Sequence, residues 1–143
     1  MKVRCISTYP NEEQMMKIGL YPGQSFGVTI GKEYLVVGLS FQLNSGIFGT
    51  GLCVNVVDDG NYFVTIPLCL FEVLDARASR HWRIHTWEDG NITLWPESFY
   101  APYYVDDHNE DFPEVRADFK KVYSQLEAEA AEPSAPPLRL PLH

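Results

Sequence analysis

Along the first hundred positions, short apolar runs separated by turn residues predict strands, and only near the C-terminus does the period lengthen to that of a helix. The clearest strand is Tyr34-Leu35-Val36-Val37-Gly38-Leu39-Ser40-Phe41, β-branched and aromatic, with Gly38 marking a bend or bulge. Two hairpins follow. Leu52–Val57 and Tyr62–Ile66 flank Asp58-Asp59-Gly60-Asn61, and His81–Trp87 and Ile92–Trp95 flank Glu88-Asp89-Gly90-Asn91. Asp-Gly between apolar runs is a strong hairpin signal. In the second hairpin Trp82, Ile84 and Thr86 share one face, and His81, Arg83, His85 and Trp87 the other.

Between these elements, Lys2–Ser7 reads as a first strand and Asn11–Ile18 as a short helix capped by Asn11 and ended by Gly19. Tyr21–Ser25 reads as a turn and Asn44–Gly51, with three glycines, as a flexible loop. Pro67 breaks a ladder, so Leu68–Leu74 is a one-turn helix or a further strand. Beyond Pro113, Val115, Phe119, Val122 and Leu126 recur at i, i+4, i+7 and i+11, an amphipathic helix over about 113–130. The expected class is mostly β (α+β), with that C-terminal helix packed on a strongly bent antiparallel sheet. Residues 1–131 form one domain in this reading, and the Pro-rich tail 132–143 is unstructured.

Length and composition do not change this picture: 143 residues, 45% hydrophobic and 21% charged, suit one folded unit. The N-terminal segment lacks the apolar stretch of a signal peptide, and no run approaches the roughly 20 residues of a membrane span. Cys5, Cys53 and Cys69 are odd in number and lie in apolar contexts, which suits reduced thiols in a cytoplasmic protein. Charge changes the picture more. The chain carries a net charge of -8, of which residues 104–132 supply nine acids against three bases. That sign disfavours nucleic acid and favours a basic protein partner.

Each chemical motif has a plainer explanation. His81 and His85 lie four apart without the paired spacings of a zinc site, so no metal or cofactor is expected. No nucleophile elbow occurs, and Gly46–Gly51 lacks the Lys-Ser/Thr of a phosphate loop. Adjacent carboxylates at Asp58-Asp59 fall in a turn, so the chain is read as no enzyme. The segment from Phe99 to Asp111 is different, because a core cannot readily absorb Tyr100, Tyr103 and Tyr104 along with Asp106, Asp107, Glu110 and Asp111. Exposed tyrosines beside carboxylates suit a protein-binding surface: rings anchor, and acids attract. Asp58 and Asp59 add a second acidic contact.

Val28-Thr29-Ile30-Gly31-Lys32-Glu33-Tyr34-Leu35-Val36-Val37-Gly38, Val57-Asp58-Asp59-Gly60, Pro67-x-x-Leu70-Phe71-Glu72-Val73-x-Asp75 and Ser79-Arg80-His81-Trp82 together resemble small SH3-like β-barrel proteins of bacteria. Many of these look like immunity proteins encoded beside polymorphic or contact-dependent toxins. The resemblance spans about residues 28–100. It implies an SH3-like small barrel and a cytoplasmic inhibitor, monomeric or weakly dimeric, that occludes a basic, nuclease-type toxin with an acidic face and touches no membrane. It carries over no catalytic residue. The alternative is an SH3-like adaptor without a toxin partner, working through the barrel edge and Trp82 or Trp87. A third reading is a small hydrolase or metal-dependent enzyme with a site assembled only in three dimensions.

Overall fold

In the computed structural model, which describes residues 1–18 and 25–133, the chain runs β1 (Lys2–Cys5), α1 (Glu12–Ile18), β2 (Glu33–Leu35), β3 (Gly38–Ser45), β4 (Gly49–Val57) and β5 (Phe63–Pro67). A 3-10 turn (Leu68–Leu70), β6 (Phe71–Asp75), β7 (Trp82–Thr86), β8 (Ile92–Pro96), a second 3-10 turn (Glu97–Tyr100), α2 (Tyr104–Asn109) and α3 (Pro113–Ala130) follow. Two antiparallel sheets result, one of three strands in the order β2-β1-β6 and one of five in the order β5-β4-β3-β8-β7. The fold is mostly β with a C-terminal helix. Its sheets pack tightly but do not close into a barrel.

The run 34–41, expected as one bent strand, is divided between the sheets. Tyr34 pairs with Val3 in the small sheet, Leu39 pairs with Val54 in the large one, and Val36-Val37 carries the chain across. Gly38 permits the crossing. A Cβ there would lie 2.5 Å from the Trp95 ring, 3.0 Å from the Leu94 carbonyl and 3.1 Å from Asn55 Oδ1, so the backbone approaches where no larger residue fits. The buried Asn55 is satisfied around it: Oδ1 accepts from Ser40 Oγ at 2.9 Å and Trp95 Nε1 at 2.8 Å, and Nδ2 donates to Thr65 Oγ1 at 2.9 Å.

Between the sheets Val3, Cys5, Tyr34, Val36, Val54, Val56, Ile66, Leu70 and Phe71 form one core cluster. A second cluster, with Leu35, Val37, Phe63, Phe99, Tyr104, Phe119 and Leu126, seats α2 and α3. The stripe read on α3 faces this core, with Phe119 and Leu126 buried and Val115 and Val122 packed beside them. Arg77 holds the far end of α3, bonding Asp75 through two nitrogens and donating to the Ala130 and Glu132 carbonyls left free by the helix terminus. At the other end of the chain α1 starts with a reciprocal cap: Asn11 Oδ1 accepts from Gln14 N at 2.8 Å, and Gln14 Oε1 accepts from Asn11 N at 2.9 Å.

Local details differ from expectation where the sequence signal is ambiguous. Asn44–Gly51 is largely the end of β3 and the start of β4, joined by a tight turn in which Ser45 Oγ accepts from Ile47 N and Phe48 N. Both readings of 68–74 hold in succession, a 3-10 turn and then β6. Trp82 is buried with Nε1 donating to the Val37 carbonyl at 3.0 Å, while Ile84, on the same strand face, is 68% exposed because β7 is an edge strand extending past the core. The proposed end of α1 at Gly19, most of the Tyr21–Ser25 turn and nearly all of the Pro-rich tail lie outside the described residues. No helix among the described residues is long and apolar enough to cross a membrane.

Candidate interaction surface

The 3-10 turn after β8 ends at Tyr100, and the chain then needs a sharp reversal to bring α2 down on Phe63. Two residues in left-handed backbone conformation bracket that helix, Tyr103 at φ 60° and Asp111 at φ 62°. Such a conformation costs a bulky L-residue roughly 1–2 kcal/mol. Within α2, Asn109 docks on β5 like another strand residue: its Oδ1 accepts from Phe63 N at 2.8 Å and its Nδ2 donates to Phe63 O at 3.1 Å. His108 beneath it is buried and packs against Phe119, with ring centroids 4.3 Å apart.

This geometry separates the three tyrosines expected to act together. Tyr103 is 77% exposed, the projecting aromatic that was anticipated. Tyr104 is not an anchor; it is buried, stacked on Phe99 at 4.9 Å, and its hydroxyl donates to Asp118 Oδ2 at 2.7 Å. Burial and that carboxylate push its pKa far up. Tyr100 is half-buried against Trp95, and its hydroxyl is spent on the Arg83 carbonyl at 2.6 Å and on Thr93. A run of tyrosines cannot reveal this division, since a left-handed residue between Pro102 and Tyr104 turns successive rings in opposite directions.

The acids divide as well. Asp106 is exposed on α2 and Glu110 at its C-cap, Asp107 is half-buried, and Glu114 is exposed in the first turn of α3. None of the four is in an ion pair among the described residues. Asp111 is exposed but pairs with Arg116 at 2.6 Å. Asp58 and Asp59 have structural partners. Asp58 Oδ1 accepts from Gly60 N and Tyr62 N and so shapes the β4–β5 turn. Asp59 receives Lys32 Nζ at 2.6 Å, Thr29 Oγ1 at 2.6 Å and Tyr34 Oη at 2.8 Å, and these three hold its carboxyl down at about 2. Asp59 is a clasp rather than a free contact.

One member of the surface was missed. Phe112, 48% exposed, occupies the N-cap of α3 and supplies no side-chain hydrogen bond there. Ser, Thr, Asp or Asn at that position would stabilise the helix by about 1 kcal/mol relative to an apolar residue. Phe-Pro before a periodic stretch was the available signal. Tyr103 and Phe112 thus stand at the two ends of α2 with unpaired carboxylates between them.

Comparisons with family models, curated proteins and solved structures found no match. Among the described residues no group of three or more His, Cys, Asp or Glu gathers to hold a metal ion. Burial raises the pKa of all three cysteines, that of Cys53 to about 12, which leaves the thiols protonated and poor nucleophiles.

Proposed function

We propose that this chain is an immunity protein that binds a basic toxin domain in the cytoplasm and neutralises it by covering its active site, without catalysis of its own. The observation that carries the reading is the α2 ridge. Two exposed rings are kept at positions where smaller or polar residues would be more stable, and of the acids between them Asp106, Asp107 and Glu110 are in no ion pair among the described residues, while Asp111 pairs with Arg116. Local stability given up at a surface is explained when the surface has a partner. Rings of this kind supply desolvated contact area, and unpaired acids steer a cationic surface into register.

Co-expression with the C-terminal toxin domain of a large secreted protein encoded beside this chain tests the reading. Rescue of growth and a stable 1:1 complex are expected. Absence of both overturns it.

A second reading, an adaptor that recognises an extended segment, is favoured by β7. This strand leaves one edge of the five-stranded sheet open, its residues Arg83 to Thr86 are exposed, and its His85 packs edge-on against Trp87 and at a tilt against Tyr100. Strand addition at such an edge would use main-chain hydrogen bonds. Substituting Ile84→Lys would then abolish capture while Tyr103→Gly left it intact, the opposite of the ridge reading.

A further inference from the structure

A cleft of about 660 Å³ opens between α3, the β2 edge of the small sheet and the β4–β5 turn. Leu35, Val57 and Phe119 give it apolar walls, and Lys32, Lys120 and Tyr123 line it. Its volume lies in the range of small-molecule sites.

Nearly every charge around it is already committed. Lys32 pairs with Asp59, Glu33 with Arg4 at 3.3 Å, Arg116 with Asp111, and Asp58 serves its turn. Lys120 is in no ion pair among the described residues. Two polar groups of the lining are also uncommitted. Arg116 Nε is buried without a hydrogen-bond partner, although the same guanidinium reaches Asp111 and, at 3.3 Å, the Asn61 carbonyl. His108 is 1% exposed. Its Nδ1 faces Asn109 Oδ1 at 2.9 Å, and that oxygen is fixed as an acceptor by Phe63 N, so Nδ1 carries the hydrogen. Nε2 is left as a lone-pair acceptor with no partner among the described residues. Buried polar groups ordinarily find partners; Arg116 Nε has none, and with a histidine acceptor that makes no hydrogen bond among the described residues in the same lining, the cleft suits a molecule that supplies both complements.

We propose that this cleft binds a small apolar carboxylate that also bears a hydroxyl. The partly exposed Arg116 guanidinium and Lys120 receive the carboxylate, His108 Nε2 accepts from the hydroxyl, and the apolar body rests on Leu35, Val57 and Phe119. The site shares α2 with the ridge through His108, but none of Tyr103, Asp106, Glu110 and Phe112 lines it, so Tyr103 and Phe112 variants test the ridge without entering the cleft.

The test is an NMR titration of the full chain with 3-phenyllactate, 3-phenylpropionate, which lacks the hydroxyl, and the neutral amide of phenyllactate. Phenyllactate should perturb the amides lining the cleft and shift the His108 Nε2 resonance. Loss of the hydroxyl should weaken binding about 3- to 10-fold, and loss of the charge about tenfold or more. Lys120→Gln lies on an exposed position and should keep the fold while weakening phenyllactate binding about tenfold; His108→Phe, if it folds, should remove the preference for the hydroxyl. Tyr103→Gly should change neither. Equal binding of the three probes, an unmoved Nε2 resonance, or no perturbation at about 10 mM would overturn the proposal.

Discussion

Asp59 illustrates how far one side chain depends on residues distant in sequence. Lys32 and Thr29 from the approach to β2, and Tyr34 from β2 itself, converge on it and depress its pKa from 3.8 to about 2. Asp75, bonded to Arg77, is depressed to about 2 as well. A carboxyl with a lower pKa folded than unfolded binds fewer protons in the native state, so its contribution is complete above the unfolded value near 4 and fades as pH falls toward 2. Unfolding in urea should therefore show stability falling over that window, with a shallower fall in Asp59→Asn. At pH 7 the same variant should lose about 1 kcal/mol, because Lys32 is exposed and water screens the pair. The Asp-Gly turn itself was legible in the sequence, since turn chemistry is local. The clasp was not, because its partners lie 25 to 30 positions away.

Among the elements, those whose signal is periodic were the readable ones. The hairpins at β4–β5 and β7–β8 and the stripe of α3 lie where alternation and the 3.6 period place them. The sheet crossing at Val36-Val37 was hidden inside one apolar run, because a strand that changes sheets stays buried throughout. Gly38→Ala should cost more than the roughly 1 kcal/mol of a typical core change, since its Cβ would overlap Trp95 and the Leu94 carbonyl; thermal denaturation checks this. Helix α2 was missed for another reason. Six residues, four of them polar, give no stripe to detect, and the helix is fixed from outside by Asn109 on Phe63 and by two left-handed residues. Those flanks make a sharp prediction. Tyr103→Gly relieves the left-handed strain and Phe112→Ser supplies a cap, so each should raise stability by up to about 1 kcal/mol while weakening capture of the toxin domain. If both variants gain stability and bind unchanged, the ridge is not the interface.

For the whole molecule, the relevant quantity is how much of the net charge remains free to act on a partner. Composition located an acidic excess in residues 104–132, but it could not tell paired from unpaired acids. In the structure Asp111 is held by Arg116 and Glu132 by Arg80, while Asp106 and Glu110 are exposed and in no ion pair among the described residues. Long-range attraction therefore rests on α2 more than on the segment as a whole. Lys at Asp106 and Glu110 should slow association with a basic toxin domain about tenfold or more near 10 mM salt, and much less at about 0.5 M, where the Debye length has shrunk to a few ångström. Dissociation should change little, because these acids surround the rings rather than occupy a desolvated pocket. Asp111→Asn is expected to behave differently, since removing that carboxylate releases the Arg116 guanidinium beside the ridge and adds local repulsion toward a cation. Stopped-flow association rates across a salt series separate the two. Equal slopes for the α2 pair and the wild type would place the electrostatic contact on another face of the molecule.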